Sequence, residues 1–261
     1  MNIIVPALVL FSIALVFGAI LAFASKKLAV IEDENVVKVT GLLSGANCGA
    51  CGYPGCAGFA KALVAGQIKI ESCPSTSLES KKEIAAILGG EVGDTKRNII
   101  ICACCGGNQC LDKYEYQGYG DCKSIELLAG GRKACSTGCM GMGSCVDACA
   151  FDAIEVNSQG YSELNSNCVA CGQCVVACPK NLLKVVPPYA KIYVACSSHE
   201  KGKDVKSVCP KGCIGCGICA KVCPEGAIIM DNHLPIIDYK KCIACGICVN
   251  KCPTKVIKTI D

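Results

Sequence analysis

The chain has few of the side chains that build ordinary cores and ordinary active sites. In 261 residues there is no tryptophan, aromatic residues make up 5%, and His199 and His233 are the only histidines. Large aromatic cores are therefore excluded, and two distant histidines without an acidic partner pattern do not indicate acid–base catalysis. The Gly-x-Gly pairs at 141–143 and 215–217 lie inside cysteine loops rather than after strands, so they do not form a dinucleotide-binding fingerprint.

Arginine is also scarce, and the remaining positive charge is unevenly distributed. Arg97 and Arg132 are the only arginines, and without aromatic interleaving this argues against nucleic-acid binding. Residues 180–261 carry 13 lysines and 6 acidic residues, whereas residues 1–179 carry 13 basic and 16 acidic residues. The basic end is either a solvated lysine surface or a docking surface for an acidic partner protein.

Cysteine is the residue present in excess, with 27 in the chain. An odd number cannot pair completely into disulfides, and a chain poor in aromatics needs another means of holding its small cores together. The thiols are therefore expected to be metal ligands.

The N-terminus is a long uncharged segment. No charged side chain occurs before Lys26, and Ile3 to Phe23 is almost wholly apolar, which as a helix covers a hydrocarbon core of about 30 Å. A cleaved signal peptide is the alternative, because Ala22-Phe23-Ala24 resembles a cleavage site, but no basic region precedes the apolar segment. Lys26 and Lys27 follow at once, so we expect residues 1–27 to be a single-pass anchor in the cell (inner) membrane, with the soluble part on the cytoplasmic side.

A repeat of 74 residues occupies the distal half of the chain. Nine cysteines recur in register, namely Cys122, Cys135, Cys139, Cys145, Cys149, Cys168, Cys171, Cys174 and Cys178 as Cys196, Cys209, Cys213, Cys219, Cys223, Cys242, Cys245, Cys248 and Cys252. The chain therefore contains one module twice.

The second copy has two bacterial ferredoxin runs of the form C-x2-C-x2-C-x3-C-P. In such pairs, three cysteines of a run bind one [4Fe-4S] cluster and the fourth binds the other. The predicted ligand sets are Cys213, Cys216, Cys219 with Cys252, and Cys242, Cys245, Cys248 with Cys223. Zinc is the alternative, but it does not need the third in-line cysteine.

The first copy has lost one ligand. Cys168, Cys171, Cys174 and Cys149 form a regular set, but Met142 stands where the second copy has Cys216. Cys135 is the nearest replacement, which gives the set Cys135, Cys139, Cys145 and Cys178. A three-iron cluster on the last three cysteines is the alternative.

Before the repeats lies a separate cysteine module. Its spacing, C-x2-C-x4-C-x16-C, is formed by Cys48, Cys51, Cys56 and Cys73, and glycines between the ligands allow the backbone to curl over a cluster. Residues 57–70 read as an amphipathic helix, and a second helix at about 78–88 begins with the capping box Thr76-x-x-Glu79. A zinc knuckle is the alternative for this module.

Seven cysteines are left after five clusters are assigned: Cys102, Cys104, Cys105, Cys110, Cys122, Cys196 and Cys209. Lone cysteines are usually small buried hydrophobes. However, residues 99–101 and 192–194 look like strands that lead into cysteines, which suggests a sixth site on Cys104, Cys122, Cys196 and Cys209. Cys102 and Cys105 are the alternatives to Cys104 in this site.

The predicted fold is α+β, with short strands flanking the cysteine runs. We expect a transmembrane anchor at 1–27, a small helical four-cysteine iron-sulfur module at 34–94 and a cysteine-rich connecting segment at 95–134. Two tandem two-cluster ferredoxin-like modules follow at 135–187 and 188–261, joined at Pro187-Pro188.

The anchor, the Cys48 module, Cys122, the run from Cys135 to Cys149 and the ferredoxin runs together resemble the B subunit of the Rnf complex. The resemblance implies a membrane-bound, ion-pumping ferredoxin:NAD oxidoreductase, in which this subunit takes electrons from reduced ferredoxin and passes them to other membrane subunits. The chain alone is then an electron carrier with no site for bond chemistry on a substrate. The alternatives are a polyferredoxin subunit of a different redox complex and a stand-alone iron-sulfur enzyme.

Overall fold

The computed structural model describes residues 4–27, 33–93 and 96–260. Its first element, α1 (Ile4–Lys27), has 24 residues. Of these, Ala7–Lys27 are long and apolar enough to cross a membrane, and none of that segment is buried against the rest of the chain. The predicted anchor is therefore a candidate membrane span.

A small helical module follows the anchor. It contains α2 (Glu34–Leu42), α3 (Cys56–Val64), a 3-10 turn at Ile70–Ser72 and α4 (Leu78–Leu88). Its core is made of ordinary apolar side chains, among them Val39, Phe59 and Ile84. The module therefore has a hydrophobic core of its own beside the four cysteines.

Two details of this module differ from the sequence prediction. Helix α3 ends at Val64 rather than 70, because Gly66 adopts a left-handed conformation with φ of 70° that ends the helix. Helix α4 has the predicted extent, but its N-cap is Ser77, whose Oγ accepts a hydrogen bond from the Ser80 N–H at 3.1 Å. Thr76 is instead buried beside Cys73.

The rest of the chain forms two copies of a small α+β unit. The first contains β1 (Ile99–Cys102), a 3-10 turn (Gly107–Gln109), α5 (Cys122–Leu127), α6 (Ser144–Asp147), β2 (Ile154–Val156), β3 (Ser162–Leu164), α7 (Gln173–Ala177) and β4 (Leu183–Val186). The second contains β5 (Ile192–Val194), α8 (Gly202–Val208), α9 (Ile218–Lys221), β6 (Ile228–Asp231), β7 (Leu234–Ile237), α10 (Ile247–Lys251) and β8 (Ile257–Thr259). Each copy has two antiparallel pairs, β1–β4 and β2–β3 in the first, and β5–β8 and β6–β7 in the second.

The strand register defines which residues of the two copies are equivalent. Ile101 pairs with Lys184, and Tyr193 pairs with Lys258, 74 residues after Lys184. Ile101 is therefore the counterpart of Tyr193, at an offset of 92 residues rather than 74. By the same offset, Cys104 is the counterpart of Cys196.

The difference between the two offsets is an insertion of 18 residues in the first copy, N-terminal to Cys135. The first copy consequently begins at β1, inside the segment 95–134 that the sequence suggests to be a connection. Cysteines in that segment can therefore belong to the ferredoxin-like fold.

A buried lysine connects the two ends of the inserted segment. Lys133 is 3% exposed, and its Nζ lies 3.1 Å from a carboxylate oxygen of Asp112 and donates to the Cys110 carbonyl at 3.2 Å. The Asp112–Lys133 pair also forms an isolated antiparallel bridge. This closure brings α5 and its first residue, Cys122, back toward the first copy.

Candidate iron-sulfur centres

Four cavities are each lined by one of the predicted quartets of thiols. Their volumes run from about 270 to about 330 Å³. The quartets are Cys48, Cys51, Cys56 and Cys73; Cys149, Cys168, Cys171 and Cys174; Cys213, Cys216, Cys219 and Cys252; and Cys223, Cys242, Cys245 and Cys248. Thiols spread around a cavity suit a cluster whose ligands bind different iron atoms, whereas a single zinc requires them to meet at one point. In the described parts of the chain, no three His, Cys, Asp or Glu residues meet closely enough to hold a single metal ion.

The loops between the ligands follow the same path in both copies. Ala170 and its counterpart Ala244 are both left-handed, with φ of 56° and 57°, and Gly172 and Gly246 are left-handed two residues later. Such conformations let consecutive cysteines point to one side of the loop. The sequence repeat is therefore also a repeat of backbone geometry around the thiols.

Backbone N–H groups also point at sulfur in equivalent places. The Ala153 N–H lies 3.4 Å from the Cys149 Sγ, and the Ala227 N–H lies 3.3 Å from the Cys223 Sγ. Hydrogen bonds of this kind stabilise negative charge on a ligating sulfur and help to set the reduction potential of a cluster. Burial raises the pKa of Cys213 to about 11 and that of Cys174 to about 12.

The site in the helical module has hydroxyl groups as well. The Cys73 Sγ lies 3.2 Å from the Thr76 Oγ1 and 3.5 Å from the Ser75 Oγ. Burial alone would raise the pKa of Cys73, but these hydrogen bonds outweigh it and lower the pKa. The buried Thr76 thus serves the cysteine site rather than the helix cap.

The fifth cavity differs from the prediction in one member. Cys139, Cys145 and Cys178 line a cavity of about 400 Å³, but Cys135 does not line it. Cys122 lies there instead, beside Met142, which also lines the cavity. The Cys122 N–H donates to the Ser144 Oγ at 2.8 Å, two residues beyond that methionine. The structure therefore brings Cys122 to the side of the loop where the second copy has Cys216.

Cys102 also lines this cavity, but it occupies a core position. It is buried on β1, its thiol lies 3.5 Å from the Cys104 carbonyl, and burial raises its pKa well above the usual value. At the offset of 92 residues its counterpart is Val194, an apolar side chain. Cys102 is therefore placed as a small hydrophobic residue.

Cys135 lies at the boundary between the two copies. A chain of thiol hydrogen bonds runs from Cys135 through Cys110 to Cys209. The bond with Cys110, together with burial, raises the pKa of Cys135, and the bond that Cys209 accepts from Cys110 lowers the pKa of Cys209. The thiol of Cys110 thus connects Cys135 of the first copy with Cys209 of the second.

Cys104 and Cys196 belong to the same group. The Cys104 Sγ accepts from the Cys139 N–H at 3.4 Å, and the Cys196 Sγ accepts from the Cys213 N–H at 3.4 Å. Burial is the main cause that raises the pKa of Cys196, and the nearby thiols of Cys104 and Cys135 raise it further. We call Cys104, Cys135, Cys196, Cys209 and Cys110 the interface thiols.

The interface thiols contain two equivalent pairs. Cys104 corresponds to Cys196 through the strand register, and Cys135 corresponds to Cys209 through the 74-residue repeat. The sequence prediction has Cys135 in the fifth site and Cys122 in the sixth, whereas in the structure Cys122 lines the fifth cavity and Cys135 lies among the interface thiols. The equivalence of Cys135 with Cys209 is the sequence signal that favours the same kind of site for both.

The family comparisons agree with an iron-sulfur protein. The family model "Putative Fe-S cluster" matches residues 43–75, and models of a "4Fe-4S dicluster domain" match residues 167–227 and 212–257. The match at 167–227 runs across the joint between the two copies as the strand pairing defines them.

Three curated proteins resemble nearly the whole chain. The B subunit of the ion-translocating oxidoreductase complex of Methanosarcina acetivorans is 43% identical over 89% of this chain and 89% of its own length. The B subunit of the Na(+)-translocating ferredoxin:NAD(+) oxidoreductase complex of Acetobacterium woodii is 38% identical over 92% of this chain and 72% of its own length. The B subunit of the proton-translocating ferredoxin:NAD(+) oxidoreductase complex of Clostridium ljungdahlii is 37% identical over 91% of this chain and 85% of its own length.

These relatives differ in the ion that their names give, so the family does not identify an ion for this chain. They agree in the kind of subunit and in the kind of complex. With its iron-sulfur modules and its cysteine sites, the chain belongs to the Rnf B-subunit family, as an iron-sulfur electron-transfer subunit of an ion-translocating ferredoxin:NAD oxidoreductase complex.

Proposed function

We propose that this chain takes electrons from reduced soluble ferredoxin on the cytoplasmic side of the membrane and delivers them to the other membrane subunits of the complex. When bound, [4Fe-4S] clusters supply single-electron transfer without bond chemistry on a substrate. The observation that supports the proposal is a continuous series of six thiol groups, which extends from the helical module through both ferredoxin-like copies.

Contacts of this chain's own residues link the series. The Gln173 Nε2 donates to the Cys48 carbonyl at 2.5 Å, which joins the helical module to the first copy. A hydrogen bond from the Cys139 N–H to the Cys104 Sγ links the thiols of the fifth cavity to the interface thiols. A hydrogen bond from the Cys213 N–H to the Cys196 Sγ links the first run of the second copy to the same group. The interface thiols therefore stand between the two copies.

The ligands of the fifth cluster are proposed to be Cys122, Cys139, Cys145 and Cys178. Cys122 lies beside Met142, which stands where the second copy has the ligand Cys216. Burial is the main cause that raises the pKa of Cys145, and the nearby Cys122 raises it further. The three-iron alternative rests on the lack of a fourth thiol, and Cys122 supplies one in the same cavity.

The sixth cluster is proposed to bind Cys104, Cys135, Cys196 and Cys209. Each copy contributes an equivalent pair: one cysteine lies two residues after the first strand of the copy, and the other lies four residues before the first cysteine of the run. Cys110 remains as an additional thiol that hydrogen-bonds within the group. Cys102 and Cys105 then remain as buried core residues.

Iron and sulfide analysis of the anaerobically purified full-length chain tests the number of clusters. Six clusters require about 24 iron atoms and as many acid-labile sulfides per chain, whereas five require about 20. The protein should be brown, and addition of reduced ferredoxin should bleach its visible absorption. A wild-type chain that carries its clusters but is not reduced by ferredoxin would contradict the proposed donor.

A pair of variants tests the sixth site. Cys209→Ser should lower the iron content by about four atoms, because it removes a ligand from one cluster only. Cys105→Ser is the matched control, since its counterpart in the second copy is already Ser197, and it should leave the iron content unchanged. Equal iron loss in both variants, or none in either, would overturn the assignment.

The orientation of the chain in the membrane is proposed from the positive charge that follows the candidate span. Lys26 and Lys27 end α1, and the positive-inside bias places the residues beyond them in the cytoplasm. Protease treatment of inside-out and right-side-out membrane vesicles tests this. Residues 33–260 should be cleaved only in the inside-out vesicles.

A further inference from the structure

The second copy exposes a cysteine face that the first copy has covered. In the first copy, the helical module lies on the loop around Cys171. The Gln173 side chain donates to the Cys48 carbonyl, and a Cβ on the next residue, Gly49, would lie 3.9 Å from the same Gln173 nitrogen. Val169, Cys171 and Gln173 are all half-buried. One small iron-sulfur module can thus dock at this place.

The equivalent loop of the second copy lies open. Its counterparts are Ile243, Cys245 and Ile247, of which Ile243 is 61% and Ile247 40% exposed, and Cys245 is exposed as well. Because Ile243, Cys245 and Ile247 line the same cavity, the apolar side chains surround an exposed thiol of one proposed cluster. We call these three residues the Cys245 face.

Lysines flank the open face at positions where the first copy has none. Lys240 and Lys241 precede Cys242, Lys221 is two residues before Cys223, and Lys251 shares a helix face with Ile247 four residues earlier. All four lysines are exposed. Their counterparts in the first copy are Asp147, Ser166, Asn167 and Ala177, at the 74-residue offset. The acidic residues nearby are the exposed Glu225 and the half-buried Asp238.

We propose that the Cys245 face is the docking surface for an acidic iron-sulfur protein, which binds there as the helical module binds around Cys171. This inference deepens the proposed function, since it identifies the surface that receives the electron donor. The apolar side chains exclude water around the exposed thiol, and the lysines provide complementary charge and orientation. A ferredoxin that carries carboxylates around its own cysteine loop fits this surface.

The basic end of the chain contains another group of lysines. Lys201, Lys203 and Lys206 lie on or next to α8, which precedes Cys209 rather than the Cys245 loop. They carry the same charge at a different place in the same copy. They therefore provide a matched control for charge alone.

Binding of a soluble, acidic two-cluster ferredoxin to the full-length chain in detergent tests the proposal. Lys240→Glu, Lys241→Glu and Lys251→Glu together should weaken binding roughly tenfold or more at about 50 mM salt, and much less at about 300 mM. Lys201→Glu, Lys203→Glu and Lys206→Glu together should change binding less than about twofold, since rim charges act mainly where the partner lies. Iron content and visible spectra show whether each variant keeps its clusters.

A second measurement uses the unmodified chain and so does not depend on how a variant folds. Zero-length coupling of lysine amines to ferredoxin carboxylates, followed by peptide mass spectrometry, should give crosslinks at Lys240, Lys241 or Lys251. Crosslinks confined to Lys201, Lys203 and Lys206, or weakened binding only in the control variant, would overturn the Cys245 face while leaving ferredoxin as the donor. A wild-type chain that binds no ferredoxin at low salt would instead contradict the donor assignment itself.

Discussion

At the scale of single residues, the function of a cysteine in this chain follows from its counterpart in the other copy. Cys102 and Cys122 both line the fifth cavity, yet the counterpart of Cys102 is Val194, whereas Cys122 lines the cavity together with Met142, the counterpart of Cys216. Cys122→Ser should therefore convert the fifth cluster to a three-iron form or remove it, with a loss of about one to four iron atoms. Electron paramagnetic resonance of the oxidised protein, together with iron analysis, measures the change.

Cys102→Val is the control for that substitution, because it copies the residue of the second copy. It should leave the iron content and the resonance spectrum as in the wild type. If the valine variant lost the cluster and the Cys122 variant kept it, the fourth ligand would be Cys102.

The spacing of the cysteines predicts some of their positions in the structure and not others. Each of the four quartets predicted from the ferredoxin runs and the Cys48 module lines one cavity, and their role as cluster ligands stays a prediction. Cys122 and Cys196 also match at 74 residues, but that match is a coincidence, because the insertion shifts the true offset to 92 N-terminal to Cys135. Only the strand pairing shows where the shift begins, and no local motif marks it.

At the scale of elements, the inserted segment of the first copy depends on one buried charge. Lys133 is paired with Asp112 and also donates to the Cys110 carbonyl. Lys133→Met should destabilise this segment by about 1–3 kcal/mol, since it leaves the Cys110 carbonyl without its side-chain donor and leaves Asp112 only the longer ion pair with Arg132, at 3.8 Å. We expect faster loss of iron to a chelator, measured by the decay of visible absorption.

The exposed Lys123 on α5 provides a control within the same segment. Lys123→Met should lose iron at the wild-type rate, because an exposed lysine side chain contributes little to stability. Equal rates for Lys133→Met and the wild type would show that the buried ion pair does not hold the segment.

The elements themselves are largely predictable from sequence. The strands at 99–102 and 192–194 and the helix at 78–88 lie where the apolar pattern and capping residues place them. What the pattern does not give is the pairing of β1 with β4 across the whole first copy, because that contact joins residues more than 80 positions apart. The capping residue of α4 is misassigned by one position because Thr76 is drawn to the Cys73 thiol.

At the scale of the whole molecule, the parts of the chain should respond differently to metal removal. The cores of both ferredoxin-like copies contain cysteines packed among a few aliphatic side chains, whereas the helical module has a core with Phe59 and Ile84. Chelation of iron should therefore unfold the two copies, as in other small metal-stapled domains, while α2, α3 and α4 keep part of their helical structure. Amide hydrogen exchange before and after iron removal measures this for each segment.

If iron removal abolished the protection of amide hydrogens against exchange equally in all segments, the helical module would also depend on its cluster for folding. Retained protection in both copies would show instead that their aliphatic side chains suffice. The apo chain can be compared with the reconstituted one, so that loss of protection is assigned to the metal rather than to damage.

The helical module meets the first copy through the hydrogen bond from Gln173 to the Cys48 carbonyl. Gln173→Ile copies the residue of the open face, Ile247, and removes the donor while it keeps an apolar contact. We expect a loss of about 0.5–1.5 kcal/mol from this contact, and thus faster amide exchange in the loop 48–52, with iron content unchanged. Ile247→Gln is the reciprocal control, since it lies on the open face of the second copy, and it should leave exchange in that loop at the wild-type rate. If Gln173→Ile also left that rate unchanged, apolar packing rather than this hydrogen bond would hold the two modules together.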